Sequence, residues 1–393
     1  MSHPFRQSRR EALGRLFASA SLLSATTLLA SCGGGGSNDA GAATADPPSE
    51  PGPPAPPTVL SAGAYVSSSS NVATTNGINA LHLGTSNGVP VLAGKVPVAG
   101  VTSFCLAPGN KFLYAANGDD STIAIFNVDP ATGALTPAQT PSIPNGAMPG
   151  PMAIHPSGNF LCVGNPGSED VRIYQIDPAT GVPSRVDTIP LARGGAPIGM
   201  AMHPSGQFLL VGSDGGNDVT GISIFSDGTG RIESAETGFE GVPAPLFIDP
   251  SGRFVLFSYA GTGIGFCFPI DGDSGRLITT GLQSFTTPAA TEFVRYAFHP
   301  TLVGCVYATT GGDQVGQLAL DGSTGAVTSV RWFTVAGANL SSLAVDAGGG
   351  WMYACDTTAG QVHAFSCDPA NGNLTHVGSL AVDSPRDIVL ATA

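Results

Sequence analysis

The stretch His155-Pro156-Ser157-Gly158-Asn159-Phe160-Leu161-Cys162-Val163-Gly164-Asn165, continued by Val171-Arg172-Ile173-Tyr174-Gln175-Ile176-Asp177-Pro178-Ala179-Thr180-Gly181, decides the fold. Pro-Ser-Gly is a turn signal, since proline presets φ and glycine accepts a left-handed position. Phe160 to Asn165 then reads as a strand and Val171 to Asp177 as the next, with Asp-Pro-Ala-Thr-Gly turning the chain into a further strand from Val182. Met152 to His155 supplies a strand in front, so the unit is four strands, a to d. Strands b and c carry apolar residues on both faces, as at Val171, Ile173, Tyr174 and Ile176. Such strands belong between two neighbouring layers.

The unit repeats along the chain. The first turn recurs as Ala107-Pro108-Gly109, His203-Pro204-Ser205-Gly206, Asp249-Pro250-Ser251-Gly252, His299-Pro300-Thr301 and Asp346-Ala347-Gly348. The second recurs at Asp129 to Gly133, Asp321 to Gly325 and Asp368 to Gly372. Prolines 108, 156, 204, 250 and 300 lie 48, 48, 46 and 50 residues apart. An all-strand period of this size is the signature of propeller blades. Strand b has seven copies, at Ala64–Ser67, Phe112–Asn117, Phe160–Asn165, Phe208–Ser213, Phe254–Tyr259, Cys305–Thr310 and Trp351–Asp356. The first copy lacks a strand a, and Ser384 to Leu390 is a strand a with no strand b after it. The expected fold is all-β: a seven-bladed β-propeller of four-stranded antiparallel blades, closed by the C-terminal strand completing blade 1, which removes exposed edges.

These motifs carry a resemblance. His-Pro-Ser-Gly-x-Phe-Leu, a small-residue strand ending in Asn, then Ile-x-Ile-Asp-Pro-Ala-Thr-Gly resembles the β-propeller lactonase family, over nearly all of residues 62 to 393. That family includes the propeller type of 6-phosphogluconolactonase and grades into surface-layer propellers with Tyr-Val-Thr-Asn repeats. The resemblance implies a lactone-opening activity at the channel mouth. Its relatives carry Pro-Arg-His entering a strand a and Asn-Glu one strand later. Here the sixth unit reads Phe293-Val294-Arg295-Tyr296 and its strand b ends Thr309-Thr310, while the closing strand reads Pro385-Arg386-Asp387.

Composition narrows the partners. The net charge is −13 and there are two lysines, Lys95 and Lys111, so clustered phosphate contacts and nucleic-acid binding are excluded. Charged residues make up 11% against 42% apolar, which excludes a disordered chain. Glycine is abundant without a three-residue period, which excludes collagen.

The N-terminus reads as an address. Arg6, Arg9, Arg10 and Arg15 precede the uncharged stretch Leu16 to Ala30. That stretch is short for a membrane span and has the make-up of a signal peptide. Leu29-Ala30-Ser31-Cys32 resembles a bacterial lipobox, with Cys32 as the lipidated residue, and Ser8-Arg9-Arg10 resembles a twin-arginine signal. Residues 33–60, rich in Gly, Ser and Pro, read as a tether, and 61–393 as the propeller. The chain is thus expected to be exported and lipid-anchored at the cell envelope, as a monomer touching the membrane only through its lipid.

Topology places the a–b and c–d turns on one face, and the b–c loops with the starts of strand a on the other. Strand a is innermost, so its start lines the channel mouth, where propeller sites sit. The candidates there are Glu292, Arg295, Arg386 and Asp387, ringed by Asp119, Asp120, Glu169, Asp170, Asp214, Asp218, Asp313 and Asp356. Guanidiniums can hold a carboxylate or stabilise an oxyanion, and Glu292 or Asp387 can activate water against a lactone carbonyl. Alternatively each Asp is a turn residue and each Arg pairs with a neighbouring carboxylate. His155, His203 and His299 fall in a–b turns, and His82, His363 and His376 on outer strands. No histidine pair has zinc spacing, Asp119-Asp120 lacks a calcium ladder, and no cofactor motif is present. The cysteines other than Cys32 occupy core positions, and Cys355 falls opposite Val362, out of reach of Cys367.

Two functions therefore stand: a hydrolase opening a sugar lactone or related cyclic ester, or a non-catalytic propeller binding a protein, glycan or small ligand at the envelope.

Overall fold

In the computed structural model, described over residues 63–391 apart from 70–75, 85, 192–194, 260, 281–282 and 287–294, the body forms seven four-stranded antiparallel sheets. Blade 1 holds β1 (Gly63–Ser68), β2 (Gly77–His82) and β3 (Val91–Val96), and blade 2 holds β4 (Val101–Leu106), β5 (Phe112–Asn117), β6 (Thr122–Val128) and β7 (Leu135–Pro144). Blade 3 is β8 (Met152–Ile154), β9 (Phe160–Asn165), β10 (Asp170–Ile176) and β11 (Pro183–Pro190). Blade 4 is β12 (Pro197–Met202), β13 (Phe208–Ser213), β14 (Asp218–Ile224) and β15 (Gly230–Glu236). Blade 5 is β16 (Phe247–Ile248), β17 (Phe254–Ser258), β18 (Ile264–Pro269) and β19 (Gln283–Thr286). Blade 6 is β20 (Arg295–Phe298), β21 (Cys305–Thr309), β22 (Gln314–Leu320) and β23 (Val327–Thr334). Blade 7 is β24 (Leu340–Val345), β25 (Trp351–Asp356), β26 (Gln361–Cys367) and β27 (Leu374–Ala381), and β28 (Pro385–Leu390) returns to blade 1.

The closure has the expected register, with β28 pairing antiparallel to β1 (Val389 opposite Tyr65, Asp387 opposite Ser67). The first and last segments of the propeller thus share one sheet. The inner strands touch in sequence around the axis: β28 meets β4, β4 meets β8, β8 meets β12, and β20, β24 and β28 follow one another. The signal segment and Cys32, the tether and Glu292 lie outside the described residues.

The core lies between blades. One apolar cluster joins Tyr114, Ile123 and Ile125 of blade 2 to Leu161, Val163 and Tyr174 of blade 3. Another joins Tyr353, Cys355 and Val362 of blade 7 to Ala64, Val66 and Ile388 of blade 1. Each fully buried Leu, Ile or Val contributes about 1.5–3 kcal/mol, so a blade's stability comes from its neighbours.

Polar latches repeat on the same seams. Tyr65, Tyr114 and Tyr307, each the third residue of its strand b, donate their hydroxyls to the carbonyls of Gly133, Gly181 and Gly372 in the c–d turn of the next blade. Nε2 of His203 and His299 lies 2.9 Å from the carbonyls of Gly252 and Gly349, again one blade onward. Their Nδ1 atoms accept backbone N–H groups of their own turns. The a–b turn histidines are therefore joints between blades.

All six cysteines among the described residues are free. Cys355 stands opposite Val362 as expected. Cys162, Cys267, Cys355 and Cys367 are buried, whereas Cys105 and Cys305 are partly exposed, so not every cysteine is a core residue. Burial pushes the Cys162 thiol up to about 12 and that of Cys367 to about 11, which suppresses thiolate chemistry.

Candidate functional site at the channel mouth

Arg295, Ser342 and Asp387 occupy one level of three successive inner strands. Arg295 opens β20 opposite Thr309, Ser342 in β24 faces Cys355, and Asp387 in β28 faces Ser67. Each partner lies at or next to the end of its strand b, which puts all three at the mouth face. Register shifts recur at this level, between Val101 and Ser103, Pro197 and Gly199, and Leu340 and Ser342 of the inner strands, and where β28 meets β1. An extra residue there bends the strand end and re-aims its side chains. The bulged residues also brace the rim: Thr102 Oγ1 donates to Pro149 O at 2.6 Å and Ser341 Oγ to Arg386 O at 2.8 Å, each one blade onward.

Arg295 is held on two sides. Its Nη1 lies 3.5 Å from Asp387 Oδ1, and its guanidinium carbon stands 5.1 Å from the centre of the Phe247 ring in blade 5. A cation over an aromatic face gains about 0.5–2 kcal/mol and keeps a fixed orientation. The two side chains remain partly open, at 30% and 26% exposure, so a ligand can reach them. Asp387 Oδ1 also accepts Ser342 Oγ at 2.6 Å and the Ile388 N–H at 2.9 Å. Among the described residues every bond to this carboxylate ends on Oδ1, and Oδ2 has no protein partner.

Of the four catalytic candidates, the structure brings Arg295 and Asp387 together. Arg386 stands apart: it sits where the β28–β1 register shifts, is exposed, and donates from Nε to Ser69 O at 3.4 Å. Glu292 falls outside the described residues. Ser342 and Phe247 were not singled out from the sequence. The usable signal for Ser342 was a hydroxyl at a strand-a position expected to be inward, and it is buried.

The acidic ring divides differently from the expectation. Asp170, Asp218 and Asp356 are buried strand-end residues rather than free loop acids. Asp170 accepts Asn165 Nδ2 at 2.6 Å and faces Arg172 Nε at 3.4 Å. Burial pushes the Asp356 carboxyl up, but the N–H groups of Asn339, Ala359 and Thr358 together with His363 outweigh it and hold it below the usual range. Asp119 and Asp120 fold back on Asn117. Among the described residues no group of three or more His, Cys, Asp or Glu could hold a metal ion.

Beneath the pair lies Cys355. Burial holds its thiol well above its ordinary value, Asp387 adds to the rise and Arg295 opposes it, so it is no nucleophile.

A family model described as "Lactonase, 7-bladed beta-propeller" matches residues 69–198 and 301–392, more than half of the chain. The chain belongs to this lactonase β-propeller family. Among solved structures, a candidate 6-phosphogluconolactonase of Bacteroides fragilis is 17% identical with a TM-score of 0.74, covering 86% of this chain and 99% of its own. The periplasmic gluconolactonase PpgL of Pseudomonas aeruginosa is 18% identical with a TM-score of 0.71, covering 84% and 99%. A candidate 6-phosphogluconolactonase of Bacteroides uniformis is 15% identical with the same TM-score, again covering 84% and 99%. At these identities the likeness is one of fold. No curated protein matches the chain. Both parts of the family match include elements of the mouth: β28, which carries Asp387, and β24, which carries Ser342, fall in the second.

Proposed function

We propose that this lactonase-family propeller hydrolyses a small lactone or related cyclic ester at the channel mouth. The observation that carries the reading is the state of Asp387: Oδ1 is saturated by Arg295, Ser342 and the Ile388 N–H, while Oδ2 is left to take a proton. In this scheme Oδ2 removes a proton from water as its oxygen bonds to the lactone carbonyl carbon. Arg295 moves toward the developing oxyanion, a role worth roughly 10²–10³ in rate. Collapse breaks the ring C–O bond, and the proton returns from Asp387 to the departing alkoxide to give the hydroxy acid. Arg386, exposed at the rim, is positioned to meet substrate hydroxyls or a carboxylate. The candidate acids Asp119, Asp120, Glu169, Asp214 and Asp313 surround the same face, which favours neutral over phosphorylated substrates.

The test is hydrolysis of a panel of neutral and phosphorylated lactones by the full-length chain, followed with a pH indicator. Turnover that prefers neutral rings supports the reading; a folded protein inert on every lactone rejects it.

The binding-module alternative is favoured by one observation, the lack of the Pro-Arg-His and Asn-Glu sequences around Arg295 and Thr309. Under it the same mouth takes a glycan, protein or small ligand without turnover. For either reading, the basic and apolar leader ending at Cys32 supports an exported, lipid-anchored envelope location. Fatty-acid labelling that is lost in Cys32→Ser supports the anchor, and labelling that persists argues against it.

A further inference from the structure

The joint between blades 6 and 7 departs from the repeat on the face opposite the mouth. The first residue of strand b is Phe112, Phe160, Phe208, Phe254 and Trp351 in five blades. In four of these, the next blade's c–d turn glycine packs against that ring, as Gly181 does on Phe112, Gly228 on Phe160, Gly275 on Phe208 and Gly325 on Phe254. Blade 6 has Cys305 in this place, and its partner Gly372 meets the Cys305 sulfur, the Tyr307 hydroxyl and the Gln317 amide instead. No ring fills the position.

A groove of about 320 Å³ occupies the joint, lined by Leu302, Val303, Cys305, Gln317, Arg331 and Asn371 among others. That volume is at the lower end of small-ligand sites. Its walls combine apolar side chains with a built polar element. Val303 at the lip is 91% exposed. Gln317 is 8% exposed and donates from Nε2 to Asn371 O at 2.7 Å, which fixes the amide, but its buried Oε1 has no hydrogen-bond partner. A buried acceptor left unpaired costs about 1–3 kcal/mol, which a donor entering the groove recovers. At the outer edge Arg331, itself exposed, donates from Nη1 to Asn373 Oδ1 at 2.6 Å and so has its guanidinium plane fixed. A fixed guanidinium is a stacking surface for a flat ring.

We propose that this joint is a small-ligand site, separate from the mouth, for a flat ring bearing an N–H or O–H donor. The ring takes the place that phenylalanine holds in the other blades, between the Cys305 position and the blade 7 turn. Its donor pairs with Gln317 Oε1. Cys305 is the specificity residue, because any large side chain there closes the groove.

The probe is indole, with 1-methylindole as the same ring lacking the donor. Binding to the full-length chain is measured by ligand-observed NMR and calorimetry, beside Cys305→Phe and, should that variant not fold, the more compliant Cys305→Met. Indole is expected to bind the wild type, 1-methylindole about tenfold more weakly, and the filled variant to bind neither. Absence of indole binding to the folded wild type overturns the site. Undiminished binding to the filled variant overturns its location, and equal affinity for the two probes overturns the role of Gln317. Lactone turnover is read in parallel and is expected to be unaffected by indole, since the groove and the mouth lie on opposite faces.

Discussion

Arg295, at the start of the inner strand of blade 6, reaches Asp387 on the last strand of the propeller, 3.5 Å from Nη1 to Oδ1, across the inner strand of blade 7. The pair exists only because the chain's end returns to the ring. Its two side chains are partly exposed, so it is worth at most about 1 kcal/mol to stability. Arg295→Ala is therefore expected to leave the urea midpoint nearly unchanged while lowering lactone turnover about 10²-fold. A large stability loss with turnover intact would make the pair a structural tie.

The tyrosine latches allow an internal comparison. Tyr114 donates to Gly181 O at 2.8 Å, whereas the hydroxyl of Tyr353, at the same position of strand b in blade 7, is buried without a partner. Tyr114→Phe leaves a carbonyl unpaired and is expected to cost about 1–2 kcal/mol. Tyr353→Phe removes an unsatisfied hydroxyl and should be neutral or stabilising. Urea unfolding of the two variants decides it, and equal losses would contradict the latch.

Glycines in the turns separate backbone strain from packing. Gly109 has φ of +77° and open space around a new Cβ, so Gly109→Ala is expected to cost about 1 kcal/mol. Gly181 has φ of +72°, and a Cβ there would run into the Phe112 ring. Gly181→Ala should cost clearly more, about 2–3 kcal/mol. Thermal unfolding of both measures the difference, and equal shifts would remove the packing component.

Acid stability should follow the c–d turns. Backbone N–H groups of Thr180 and Ala179 hold the Asp177 carboxyl below the usual range, the Thr132 hydroxyl and amide do the same for Asp129, and Ser323 and Thr324 for Asp321. Because the folded values lie below the unfolded ones, the stabilisation is full at neutral pH. It is lost as pH falls below about 4 and through the folded values. Asp177→Asn keeps an acceptor but removes the titration, so its acid limb between pH 5 and 2 should be shallower than the wild type's. An unchanged limb would assign acid unfolding to other groups.

Much of this was legible in the residues. Phe112–Asn117, Phe160–Asn165, Phe208–Ser213 and Trp351–Asp356 are strands with the bounds read from the repeat, because proline and glycine fix the turns on either side. The closing strand was legible because β1 had no partner of its own ahead of it. The site was legible by level around the axis and less so by neighbour. Arg386 and Asp387 are adjacent, yet the register shift beside them leaves Arg386 on the rim at Ser69 and brings Asp387 to Arg295. A bulge is a one-residue event that leaves no mark in a 48-residue period. Ser342 was missed for a related reason: a serine gains meaning only when the ring places Asp387 2.6 Å from it. The acids Asp170, Asp218 and Asp356 looked like loop residues, but each ends or opens a strand and is spent on hairpin bonds and side-chain partners.

The most direct measurement is kcat/KM for hydrolysis of D-glucono-δ-lactone by the full-length chain and by Asp387→Asn, with both shown to be folded by circular dichroism. The substitution keeps an acceptor for Ser342 and the Ile388 N–H but removes the base. A wild-type rate above the uncatalysed reaction, falling at least about 10²-fold in the variant, is the predicted result. A variant as active as the wild type would contradict the role given to Asp387.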